Sequence, residues 1–115
     1  MRKKSKEKIE VNNQTVTIPQ VGMGATQCVG SDRRAYTVVE IINDRKIVLQ
    51  RDKVKRIDSN GFSTEQKYSY EPNPNGHEVV VTLRKNGRWC EVGEAIDNGV
   101  QYVVGHRKEY DDPHF

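Results

Sequence analysis

Six cations and three aromatic side chains are the residues of this chain whose types suit a ligand. Arg33 and Arg34 follow Gly30-Ser31-Asp32, Arg51 and Lys53 end a run of alternating apolar residues, and Arg84 and Arg88 flank Lys85-Asn86-Gly87. Guanidinium forks bind phosphate oxygens in pairs, and such charge-assisted bonds are about twice as strong as neutral ones. Tyr68 and Tyr70 fall on one side of an extended segment, and Trp89 is the single tryptophan. Rings so placed stack on nucleobases in sheets that bind single strands. They are equally good core or half-buried β residues. Together the nine residues compose a ligand surface for an anionic nucleotide or a single-stranded nucleic acid.

Catalytic and metal chemistry find less support. His77, His106 and His114 lie in or beside turn-rich stretches without metal-ligand spacing, and neither a nucleophile elbow nor an HExxH pattern occurs. Asp111, Asp112 and His114 form an acidic cluster that lacks the further ligands a divalent ion needs. The glycine-rich stretch from Gln20 to Ala35 is followed by a strand pattern, whereas a phosphate-binding loop needs a helix N-terminus there. Cys28 and Cys90 have no CxxC spacing and, in a reducing setting, are expected to be small buried residues. The expectation is a binding protein, not an enzyme, with no metal and no cofactor.

The elements that must position these residues are strands. Val79, Val81 and Leu83 alternate with Val80, Thr82 and Arg84, and Asn86-Gly87 joins this arm to the one carrying Trp89, which predicts a hairpin with a type I′ turn. A second hairpin runs from Tyr36 to Arg56 across Asn43-Asp44-Arg45, with Ile47 and Leu49 setting the core phase. Carrying that phase forward puts Arg51 and Lys53 on the core side, so either the strand leaves the core there or the face turns cationic. Gly24–Val29, Gln66–Tyr70 and Val100–Gly105 supply further short strands, and Gly30–Arg34 reads as a surface turn. No segment has a helical period. The pattern predicts a small single-domain all-β barrel or sandwich of six to eight short antiparallel strands, SH3-like or related, over residues 11–115, with residues 1–10 as a basic flexible arm.

A chain of 115 residues with 34% hydrophobic and 30% charged residues can bury one modest core under a charged surface. A formal charge of +3 favours anionic partners but lies well short of a duplex-DNA protein. No run of about 18 apolar residues predicts a membrane span, and no apolar stretch follows the basic start as in a signal peptide, so a soluble, intracellular protein is expected.

The stretches GMGATQCVGSDRRAYTVVEI, QRDK, SYEPNPNG, TLRKNGRW and GHRKEYDDPHF resemble a group of short, uncharacterised proteins of bacteriophages and prophages, over about Val21 to Phe115. The resemblance implies a setting, the host cytoplasm, and an accessory role such as countering host defence by sequestering a nucleotide signal. It carries no activity for any residue. The second functional expectation is a protein-binding module, an inhibitor of a host defence effector or a virion accessory subunit, anchored by Tyr110 and Phe115. A homo-oligomer is also expected if a ligand pocket needs a subunit seam.

Overall fold

The computed structural model describes residues 8–11, 14–95 and 100–113. Their regular structure is all strand; no helix is present among them, and so none long and apolar enough to cross a membrane. The strands are β1 (Lys8–Val11), β2 (Gln14–Thr17), β3 (Gly24–Val29), β4 (Asp32–Asn43) and β5 (Lys46–Arg51). They continue with β6 (Lys53–Arg56), β7 (Tyr68–Glu71), β8 (Glu78–Leu83), β9 (Trp89–Glu91) and β10 (Gln101–Val104).

Six strands close into a barrel in the order β10-β3-β4-β5-β8-β9, every neighbour antiparallel. Neighbours in the barrel are also successive in the chain, except where β10 closes onto β3 and where the β6–β7 hairpin is inserted between β5 and β8. The molecule is therefore a small up-and-down barrel, the expected all-β class, with closure removing the sheet's open edges. Two paired ribbons, β1–β2 and β6–β7, stand outside it and bring the strand count above the expected range. Lys8 to Glu10, expected in the basic arm, pair in β1; residues 1–7 lie outside the described residues.

Period-two alternation accounts for the core. Val79, Val81 and Leu83 from β8 and Ile47 and Leu49 from β5 point inward with Ala25, Tyr36, Val38, Trp89 and Tyr102. Tyr36 meets Tyr102 edge to face, with ring centres 5.7 Å apart. The run VVEII in β4 does not alternate cleanly because β4 bulges twice against β5, between Val38 and Glu40 and between Ile41 and Asn43. Ile41 and Ile42 are consequently exposed.

The hairpin between β8 and β9 forms around Asn86-Gly87, but not as a two-residue type I′ turn. Gly87 N–H donates to Arg84 O at 2.9 Å and Arg84 N–H to Arg88 O at 2.8 Å, the pattern of a three-residue loop in which a type I turn is followed by a left-handed bulge glycine. Asn86 Oδ1 accepts the Arg88 N–H at 3.0 Å, which holds the turn. Gly87 has φ 83°, a region that strains a β-branched residue. Gly87→Val is therefore expected to cost roughly 1–2 kcal/mol, read as a lower midpoint in chemical denaturation; an unchanged midpoint would show that the loop does not need this conformation.

Candidate functional site

Most of the expected cations are consumed within the fold. Arg33 and Arg34 lie on β4, not in a turn; the turn is only Gly30-Ser31, because Val29 already pairs with Asp32. Arg33 donates to Gly30 O and Asp32 O, both at 2.8 Å. Arg34 pairs with Asp111 at 2.9 Å and lies 3.5 Å from Asp32 and 3.6 Å from Glu109. Arg51 keeps the core phase, stacks 6.0 Å above Tyr36, and grips Glu109 with two bonds of 2.8 and 3.0 Å. Arg84 donates to Thr82 Oγ1, Glu94 O and Glu91 O at 2.6–2.8 Å, and so braces its own hairpin. Trp89, 3% exposed, is core and offers no stacking platform.

Glu109 and Asp111, the acidic partners of Arg51 and Arg34, come from the chain after β10, which folds back along the barrel. Gly105 N–H donates to Gly24 O, Thr26 Oγ1 to His106 O, and Tyr110 exchanges both main-chain bonds with Arg33. Glu109 becomes buried and also accepts the Ala35 N–H at 2.9 Å. Tyr110 is half-buried in this strand-like return; Phe115 and His114 lie outside the described residues. Among the described residues no group of three or more histidine, cysteine or acidic side chains is placed to hold a metal.

What remains open is the β6–β7 ribbon. β5 and β6 are separated by buried Asp52, whose N–H bonds Ala35 O at 3.1 Å; here the chain leaves the barrel, and Lys53 falls outside the core. The register Lys53↔Glu71, Val54↔Tyr70, Lys55↔Ser69, Arg56↔Tyr68 continues through the Ile57 N–H to Lys67 O bond. Alternation then sorts the ribbon into two faces. Gln66, Tyr68 and Tyr70 share the face held by the returning chain: Gln66 exchanges two bonds with the Asp111 main chain, and Tyr70 Oη accepts the Glu109 N–H at 3.2 Å. Tyr68 donates to Gln66 Oε1. The tyrosines thus serve docking, although the Tyr70 ring is still 36% exposed.

The opposite face carries Lys53, Lys55 and Lys67, all exposed and without an ion pair among the described residues, beside a shallow depression of about 170 Å³ bounded by Ser69 and Glu71. At the tip, Phe62 is 93% exposed on an ordered loop. Asp58 organises that loop, accepting from Arg56 Nε and the N–H groups of Lys67 and Asn60 at 2.7–2.8 Å. The Arg56 bond, then the Lys67 amide, hold the Asp58 carboxyl well below the usual carboxylate range. Its folded pKa being depressed, its support for the loop is complete above the ordinary carboxylate range and is lost only as the pH falls through the depressed value.

Of the expected ligand residues, only Lys53 belongs to this face. Arg88 is also exposed, but on the β8–β9 hairpin. Lys55, Lys67 and Phe62 lie outside the ligand set expected from the sequence, although Lys55 repeats the phase of Lys53 and Phe62 is a lone aromatic after a turn glycine. Neither a protein-family model, nor a curated protein, nor a solved structure matches this chain.

Proposed function

We propose that the protein is a binding module for single-stranded nucleic acid, and that its contact surface is the outward face of the β6–β7 ribbon. The observation that carries this reading is the row of Lys53, Lys55 and Lys67, without an ion pair among the described residues, with a fully displayed phenylalanine in the loop beyond it. Lysines in a row on an open ribbon suit successive phosphates of a strand better than the clustered phosphates of one nucleotide, and Phe62 offers a π-face to an unstacked base. In the host cytoplasm that the phage resemblance implies, such a module would act by sequestering or escorting a strand.

Binding of a fluorescent oligonucleotide across a salt series tests it. The combined Lys53→Ala, Lys55→Ala, Lys67→Ala variant should lose affinity and flatten the salt slope by about 2, since each single-strand phosphate contact contributes about 0.7. Phe62→Ala should cost about 1–3 kcal/mol at any salt concentration. Affinity insensitive to salt and to the lysine variant would overturn the reading. A protein partner is the second reading, favoured by Phe62 and by Ile57, 59% exposed at the start of the same loop. Such an interface would depend on Phe62 but hardly on salt.

A further inference from the structure

Glu71 belongs to two depressions at once. It borders the one on the lysine face, and it also lines a separate cavity of about 240 Å³ shared with Thr37, Asp52, Tyr70, Pro72 and Arg107. A strand lying along Lys53 and Lys55 therefore reaches, at Glu71, the lining of a cavity too small for a drug-sized ligand, which needs about 300 Å³ or more. Resting on the nucleic-acid reading above, we propose that this cavity accepts one base of the bound strand and selects guanine.

The donor side is built. Arg107 Nε donates to Asp52 Oδ2 and Nη2 to Thr37 Oγ1, both at 2.8 Å, while the Thr37 hydroxyl donates to the other oxygen of Asp52. The Asp52 carboxylate is 2% exposed, so this closed triad fixes the plane of the guanidinium from behind. Nη1 and the second Nη2 hydrogen have no partner among the described residues, and Arg107 is 30% exposed. Room for the arginine exists because residue 24 is glycine: a Cβ there would stand 2.7 Å from Arg107 Cβ.

A planar pair of donors matches guanine O6 and N7, the commonest arginine contact to a base. Adenine would turn its amino donor toward the same fork, and a pyrimidine lacks the paired acceptors. Opposite charges in one cavity suit a neutral base with donors and acceptors better than a phosphate, since Asp52 already offsets Arg107. Glu71, exposed and without a side-chain partner among the described residues, supplies an acceptor for guanine N1–H and its amino group, and the Tyr70 ring and Pro72 give apolar surface for the base plane.

The test uses the full chain and fluorescence anisotropy at low salt with a short thymidine tract, and with the same tract carrying one central guanine, adenine, hypoxanthine or 7-deazaguanine. One guanine should tighten binding about tenfold over the all-thymidine strand. Hypoxanthine, without the amino group, and 7-deazaguanine, without N7, should each lose most of that gain. In the Glu71→Ala variant, which loses the acceptor for both N1–H and the amino group, the ratio of guanine-strand to thymidine-strand affinity should fall to the hypoxanthine ratio of the wild type or below it. Equal binding of guanine and thymidine strands, or an equal gain from adenine, would overturn the guanine site while leaving the nucleic-acid module standing. If no strand binds at all, both fall together.

Discussion

Glu109→Ala should lower the stability of the fold by about 3–5 kcal/mol, a large part of the roughly 5–15 kcal/mol typical of a domain. The carboxylate is 6% exposed, takes two bonds from Arg51 and one from the Ala35 N–H, and lies 3.6 Å from Arg34. Truncating it leaves the Arg51 guanidinium above Tyr36 with Ala35 O as its remaining acceptor and the buried Ala35 amide without its own, and that lost compensation, more than the lost attraction, is the cost. Arg51 is 27% exposed and can recruit water, which places the expected value toward the lower end. Glu109→Gln keeps one acceptor for the Ala35 amide and should lose less. Chemical denaturation of the three proteins measures both differences; a loss below about 1 kcal/mol for the alanine variant would mean that the returning chain is not held by this carboxylate.

Trp89→Ala should be comparably damaging, at about 3–5 kcal/mol, through the cavity it leaves. Trp89 pairs with Leu83 on one side and Tyr102 on the other, and all three side chains are nearly inaccessible. A stacking platform would behave in the opposite way, losing oligonucleotide affinity at little cost in stability. The decisive comparison is therefore thermal midpoint against affinity, the latter measured well below the midpoint. A large fall in the first with the second retained is the core signature. An unchanged midpoint with lost affinity would move Trp89 back to the surface.

Much of the barrel was legible in the chain. Alternation in Glu78–Leu83 and Lys46–Arg51, with Asn86-Gly87 and Asn43-Asp44-Arg45 between arms, specifies hairpins because side-chain period and turn conformation are set within a few residues. Arg51 was recognisably in phase with Leu49, and it does sit against the core ring of Tyr36. The turn type around Gly87 was not decided locally, since Asn-Gly serves two hairpin geometries and the register of β8 against β9 selects between them.

The site was much less legible, for a physical reason. Sequence supplies charges, but whether a cation is free depends on what folding brings beside it. Arg51 is paired by Glu109 and Arg34 chiefly by Asp111, each more than fifty positions away, and Arg107 reaches Asp52 across a similar span. Lys53 differs from Arg51 by only two positions, yet the chain turns out of the barrel at Asp52 between them and leaves the lysine in water. Residue types and strand phase were thus determined along the chain. Which charges were spent on stability, and which stayed free on the β6–β7 ribbon, was decided only when desolvation and ion pairing brought the segment after β10 back onto the barrel.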